Sequence, residues 1–396
     1  MAATTKAKKN DEKESAKPKN PVMMDNKAIQ ADFNKRFGEG TFFTLEGNER
    51  TQVTPIPSGI PAFDFATGIG GVPSGRIIEI YGPESSGKTS LCLMLAGKFQ
   101  ELAKLPGPFF GKKVGFIDAE HALDPYHVSN LGVDTSANGM LINQPETGEG
   151  AFDLMEAMCL SEQFGLVIVD SAAALVPLAE VENDMEYNPI GLQARMLGKG
   201  LRKLKGPAQK TGTTFIFINQ LRQKPGLKGA VVNTTPGGLA LRFYASMRIE
   251  VKATKIEKGG SEVGLATTLH FKKNKVAVPF TTAEYDYYWV GGVDRVKNIM
   301  DVACDLDIIH RKGAYYFYGA DPDDSKNPFT DGSGNELKWQ GKEQLLQALR
   351  VSPALYEYTN NLVLGNIPSD TVFVDESDSD EEPDDLEGAT EEEVLL

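Results

Sequence analysis

Between about residues 53 and 290, short continuous runs of β-branched and aromatic residues alternate with stretches of helical periodicity. The runs IIEIY (77–81), KVGFID (113–118), MLINQ (140–144), LVIVD (166–170) and TTFIFINQ (213–220) show no polar alternation, as expected of strands covered on both faces. Helical stretches follow Lys88 and span 149–163 and 191–205. This alternation predicts an α/β fold built on a mostly parallel sheet. Segments 246–258 and 261–275, joined at Gly259 and Gly260, read as an antiparallel hairpin added to it. A small α/β module follows Asp294: a helix over 294–310, a strand over 314–318 and a helix over 338–350. Upstream, Ile29, Phe33 and Phe37 recur every fourth residue on a short helix near Asp25 to Phe37. That stripe is too narrow to make a core and must dock on another surface.

The divisions that follow are a flexible leader (1–24), an N-terminal segment (25–52), a core (53–293), a C-terminal α/β domain (294–365) and a tail (366–396). Composition changes this picture at the tail. Its thirteen carboxylates, with no Lys or Arg, account for all but one unit of the net charge of −14. The body is nearly neutral and free to carry basic patches, while the tail reads as a disordered polyanion. No run approaches the ~18 apolar residues of a membrane span. Cys92, Cys159 and Cys304 show no CxxC spacing, which argues against a disulfide framework or zinc site and for buried thiols in a reducing compartment. The N-terminus lacks an apolar signal core, so the cytoplasm is the expected location.

The sharpest motif is GPESSGKT, Gly82-Pro83-Glu84-Ser85-Ser86-Gly87-Lys88-Thr89, which follows a buried strand and opens a helix. This is the placement a P-loop requires. Its backbone N–H groups curl around phosphates, Lys88 reaches the outer phosphates and the Thr89 hydroxyl holds Mg2+. LVIVD ends in Asp170, suited to the second magnesium-side carboxylate, although a strand-ending Asp is also a common helix cap. Glu120 stands just past the KVGFID strand and suits either a water-activating base or a rim cap. His121 beside it is read as packing. On the 191–205 helix, Arg195, Lys199 and Arg202 share one face and Leu197, Leu201 and Leu204 another. The flanking segments 182–190 and 221–235 are Gly/Pro/polar-rich and long enough to be ordered by a ligand. A basic stripe is more often a plain solvated face, but with these loops flanking it and Arg222, Lys224 and Lys228 added, the face suits backbone phosphate contacts with little sequence preference.

GGVPSGRIIEIYGPESSGKTSL, FIDAEHALDP, LGVD, QPETGE, LVIVDSAAALVP, ARM with RKL, FINQLR, TTPGGLALRFYAS and KKNKVAVPF occur in the order and approximate spacing of the bacterial RecA recombinases. The resemblance is dense over about 26–295 and loose beyond it. It implies a RecA-type P-loop ATPase core, a short N-terminal polymerisation helix and a small C-terminal domain. Glu120 then matches the catalytic glutamate and Gln220 the γ-phosphate sensor. Residues 182–190, ending at Ile190, match the first DNA-binding loop, and 221–235, followed by Gly237 and Gly238, the second. Lys273 and Lys275 match lysines that reach the nucleotide of the adjacent subunit. Ser90 and Asp124 fall with the ATP-binding residues.

Departures from the family pattern are local. Where the family has an aliphatic residue and then an adenine-stacking Tyr, this chain has Tyr126 and His127. An extra LPGPFFG stretch (105–111) precedes the Glu120 strand, Pro225 replaces an aliphatic residue, and the first loop differs almost throughout, a drift compatible with a phage-encoded member. The implied function is an ATP- and Mg2+-dependent recombinase, active in DNA repair and the response to DNA damage. It polymerises as a homo-oligomeric filament on single-stranded DNA and tests homologous double-stranded DNA. Single-strand-binding and loader proteins are candidate partners, and no membrane is implied. A ring-forming DNA translocase or an ATP-gated DNA scaffold are the competing readings.

Overall fold

The computed structural model describes residues 26–37, 53–183, 191–225, 231–318 and 338–367. Among these, nine strands form one sheet in the order Gly292–Val293, Thr282–Tyr288, Ser261–Asn274, Met247–Lys258, Ile77–Gly82, Thr214–Gln220, Phe164–Asp170, Lys113–Asp118, Met140–Asn143. The six from Met247–Lys258 onward are mutually parallel. The remaining three join in antiparallel steps, beginning with the expected hairpin across Gly259 and Gly260.

Side chains alternate between the two faces of a strand, so each apolar run feeds two cores. Ile78, Ile80, Phe116, Leu166, Ile168, Ile216 and Ile218 pack on one side with Leu91, Leu95 and Phe99 of the helix Lys88–Leu102. Ile77, Ile117, Val167, Val169, Phe215 and Phe217 pack on the other with Phe152 and Met155 of Gly148–Leu160 and with Leu197, Leu201 and Leu204 of Leu192–Thr211. That last helix runs past the expected end at 205. The Gly206-Pro207 pair reads as a break yet is absorbed, and Gly212 in the left-handed region (φ +76°) terminates the helix.

The parallel strands bring their carboxyl ends to one edge, with Gly82 in register with Gln220 and Asp118 with Asp170. The 105–111 stretch enters at the opposite edge. It is closed at its base by Gly111 N–H donating to Ala103 O (2.9 Å), and Phe109 is buried edge-on to Phe99 at 5.4 Å.

The C-terminal elements differ in detail from expectation. The helix Arg295–Asp305, capped by the Asp294 carboxylate on Lys297 N–H (3.1 Å), ends early because Ile309–Lys312 pairs with Tyr315–Tyr318. Lys338–Gln340, expected as helix, is a third strand, and the helix starts at Lys342 after Gly341 (φ +81°). A further helix, Pro353–Asn366, was not expected: its buried stripe of Leu355, Thr359 and Val363 carries a Thr at the centre, which blurs the apolar pattern. Val363, Leu345, Ile299 and Val302 share the core that contains Phe63 and Phe271. Separately, Asn26–Phe37 is a helix with an Asp32–Arg36 ion pair at 2.9 Å, on which Ile29 is exposed and Phe33 half-buried. The Phe37 side chain lies outside the described residues, as do 1–25 and 368–396. Cys92 and Cys159 are buried and Cys304 is half-buried. Among the described residues no helix is long and apolar enough to cross a membrane.

Candidate nucleotide and DNA site

The strand Ile77–Gly82 delivers the chain into GPESSGKT. Gly82 has no room for a side chain, since a Cβ there would stand 2.3 Å from Val251 O. Gly87 (φ +84°) turns the loop into the helix Lys88–Leu102, whose N-terminus no side chain caps. Its first N–H groups and positive dipole end are therefore directed at the loop. Pro83, Glu84 and Ser85 are exposed, while Ser86 and Lys88 are buried. Pro83 O accepts from Lys88 Nζ (2.5 Å) and Ser86 Oγ (2.8 Å), so the lysine folds across its own loop. Burial holds the Lys88 ammonium below its usual range, opposed by Asp170 and Glu120.

Thr89 Oγ1 donates to Asp170 Oδ2 at 2.6 Å. Burial pushes the Asp170 carboxyl up to about 6; the Thr89 bond opposes this shift and Glu120 adds to it. One strand over, the N–H groups of Ala119 and Glu120 both donate to Asp170 O, at 2.8 and 3.2 Å. The buried Asp118 carboxylate accepts from the N–H groups of Ala122 (3.2 Å) and Leu123 (3.4 Å) and from Gln144 Nε2 (2.9 Å). These bonds fold the turn back and present Glu120 over the sheet edge. Glu120 Oε1 accepts from Ser171 Oγ at 2.5 Å and from Gln220 Nε2 at 3.1 Å.

Thr89, Glu120, Asp124, His127 and Asp170 line one cleft of about 330 Å3. His127 Nε2 lies 3.1 Å from Ser90 Oγ, whereas Tyr126 is exposed and absent from the lining. Asp124 caps the helix Pro125–Asn130, its Oδ1 accepting from Tyr126 N–H at 3.0 Å. His121 does not pack as expected: it is exposed at φ +55°, because the chain has already left the sheet after Asp118 and is turning over its edge.

On the expected DNA-binding face, Arg195, Lys199 and Arg202 are exposed along Leu192–Thr211 and the three leucines opposite them are fully buried. Arg202 Nε donates to Tyr244 Oη at 3.2 Å. Arg222 is exposed on the strand Arg222–Pro225, which pairs antiparallel with Val231–Thr234. Gly237 and Gly238, both at positive φ, lie against the basic helix: a Cβ on Gly237 would meet Leu197 Cδ1 at 2.2 Å. Ile190, Lys228 and the Lys224 side chain fall outside the described residues. Lys273 sits opposite Arg248 in the hairpin and donates to Arg242 O (2.5 Å) and Phe243 O (3.2 Å). Burial, then the neighbouring Lys275 and Arg248 charges, pulls its ammonium down to about 8. Neither Lys273 nor Lys275 lines the Glu120 cleft of its own chain.

The family model for the RecA N-terminal domain matches residues 25–294. Protein RecA of Frankia casuarinae is 42% identical over 350 residues, covering 87% of this chain and 94% of that one. This chain belongs to the RecA family. Protein RecA of Clostridium botulinum is 46% identical over 286 residues, 72% of this chain and 78% of its own length. That of Bacillus subtilis is 45% identical over 285 residues, 72% and 79% respectively.

In this RecA-family chain, reading the sequence missed Asp118, Glu79 and Asn219, and took Ser171 only as the residue after Asp170. Asp118 ends its strand as Asp170 does, a repeat of signal that was available. Glu79 interrupts an otherwise apolar strand, which was the only sign that a buried partner must exist.

Proposed function

We propose that this RecA recombinase is a DNA-dependent ATPase that assembles head to tail on single-stranded DNA and uses the filament to test homologous duplex DNA and exchange strands. The observation that supports this most is the hydrogen-bonded row Thr89–Asp170, Ser171–Glu120 and Gln220–Glu120 along one sheet edge. The residues present fit ATP with Mg2+. Gly82 and Gly87 leave the loop without side chains where phosphates approach, Lys88 is its cation, and the Thr89 hydroxyl and Asp170 carboxylate are hard oxygen donors. Pro83, Glu84, Ser85, Ser86 and Ser90 complete the phosphate loop, with Asp124 and His127 in the adjoining cleft and Tyr126 exposed next to them.

When bound, ATP with Mg2+ supplies the phosphoanhydride to be cleaved. Glu120 is the general base: both of its hydrogen bonds fall on Oε1, so Oε2 takes the proton of an attacking water. Gln220 ties this base to residues 221–235, which gives DNA occupancy a route to it. Arg195, Lys199, Arg202, Arg222, Lys224 and Lys228 carry the phosphate contacts, bordered by Ile190, Gly237 and Gly238. Lys273 and Lys275 act on the nucleotide of the adjacent subunit, and the 26–37 helix docks on a neighbour in a head-to-tail contact that does not close. The segment boundaries at 24, 52, 293 and 365, cytoplasmic location and single-strand-binding and loader partners belong to the same reading.

The test is joint-molecule formation between a single strand and supercoiled duplex. Homologous duplex should yield displacement loops in the presence of ATP and Mg2+, and heterologous duplex none. Equal signal from both would reject strand exchange.

A further inference from the structure

Outside the cleft, the interior of the parallel sheet holds a charged pair whose carboxylate is buried. Glu79, in the middle of the strand Ile77–Gly82, is fully buried. Its Oε2 accepts from Arg248 Nε at 2.5 Å, and the Arg248 guanidinium lies over the Tyr81 ring, 4.6 Å from its centroid. Its Oε1 accepts from Nδ2 of Asn219, a side chain that is also fully buried, at 3.1 Å. Asn219 Oδ1 in turn accepts the Gln220 N–H at 3.0 Å, and its Nδ2 makes a longer contact to Pro236 O at 3.4 Å. One amide thus holds both ends of the 221–235 segment, and one carboxylate holds that amide.

We propose that Glu79 is a positioning residue for the hydrolytic site: through Asn219 it fixes the backbone at Gln220 and Pro236, and so the reach of the Gln220 amide to Glu120. Two features carry this. An amide side chain that donates to a carboxylate with Nδ2 is thereby oriented, and only in that orientation does Oδ1 face the Gln220 N–H. A buried carboxylate paired to Arg248 cannot move without stranding that cation, so the anchor is rigid. The chain Arg248, Glu79, Asn219, Gln220, Glu120 also connects the hairpin position opposite Lys273 to the base. The inference rests on the functional reading above, because it assigns Glu79 to the coupling between DNA and hydrolysis.

The test uses the full chain with Glu79→Gln, Asn219→Ala and the two combined. Each variant is checked for wild-type circular dichroism, nucleotide affinity and DNA affinity, then assayed for phosphate release with and without single-stranded DNA. Both single variants should keep KM for ATP within about twofold and lose at least ~10-fold in DNA-stimulated kcat. The combined variant should be no worse than the weaker single variant, because both cut one chain of contacts. Glu79→Gln strands the Arg248 charge; if it does not fold, Asn219→Ala, which leaves the ion pair intact, decides alone. Folded Asn219→Ala with wild-type DNA-stimulated kcat, or multiplicative losses in the combined variant, would overturn the inference while leaving the functional reading standing. A wild-type chain without DNA-stimulated hydrolysis would overturn both.

Discussion

Glu120→Gln separates the proposed base from everything around it. The substituted amide keeps a carbonyl oxygen that can still accept from Ser171 Oγ and Gln220 Nε2, so the hydrogen-bonded row of the native site, at 2.5 and 3.1 Å, should survive. What disappears is the capacity to take a proton from water. General-base contributions of about 10²–10⁴-fold correspond to roughly 3–5 kcal/mol of activation free energy, at about 1.4 kcal/mol per tenfold. We expect DNA-stimulated turnover to fall at least ~100-fold with ATP and DNA affinity retained. Lys88→Ala should behave in the opposite way, weakening ATP binding first, because Lys88 is the buried cation of the phosphate loop. The measurement is phosphate release at saturating single-stranded DNA, with nucleotide and DNA affinities determined separately on both variants. Turnover of Glu120→Gln within a few fold of wild type would refute the assignment, as would a loss of rate matched by an equal loss of ATP affinity.

Deleting 366–396 should strengthen binding to duplex DNA, most at low salt or low Mg2+, because the thirteen tail carboxylates compete with phosphates for the basic face over a range of ~8 Å at physiological ionic strength. Unchanged affinity across a salt series would reject that role. Glu120→Gln mixed with a Lys273→Ala, Lys275→Ala double variant should recover DNA-dependent hydrolysis near equal amounts. About one interface in four is then intact on both sides; no recovery in co-assembled filaments would mean that the lysines work within their own subunit or not at all. Burial raises the Asp64 carboxyl to about 7, against hydrogen bonds from Ser58 and Gly59 that lower it. Its folded pKa lies above the unfolded value, so the stability it confers is complete below about pH 4 and is lost as pH rises through 7, by up to ~4 kcal/mol. Asp64→Asn, which can keep the Ser58 N–H bond (2.8 Å), should flatten this part of the pH–stability curve. Parallel curves for the two proteins from pH 4 to 8 would reject the argument.

The parallel strands were legible because burial on both faces leaves an unmistakable apolar run, as in Phe164–Asp170 and Thr214–Gln220. The shape of the loop from Gly82 to Thr89 was legible because glycines at fixed spacing answer a backbone demand, seen at Gly82 and Gly87. Elements stabilised mainly by partners were harder to see. Lys338–Gln340 is only three residues long and is a strand because Tyr315–Phe317 lies beside it. The helix Pro353–Asn366 hides behind a buried Thr359 that is satisfied by Leu355 O. Within the site, the residues proposed to meet phosphate or metal carry local motifs, whereas Glu79 is joined to Asn219 and to Arg248 across more than a hundred residues of chain. His121 was misread because a histidine next to a strand end says nothing about which way the chain turns there.

The closed excursion at 105–111 suggests a practical use. It leaves the sheet at the edge away from Thr89, Glu120 and Gln220, and it is pinned by Phe109 and by the Gly111-to-Ala103 bond rather than by its tip, where Leu105 and Phe110 are exposed. Lengthening a loop that already closes on itself is thermodynamically mild, roughly 0.6 kcal/mol for each doubling. A short peptide tag or fluorophore-bearing insert at this tip would therefore report on assembly and turnover from outside both the nucleotide cleft and the basic face, in a chain whose chemistry is otherwise unaltered.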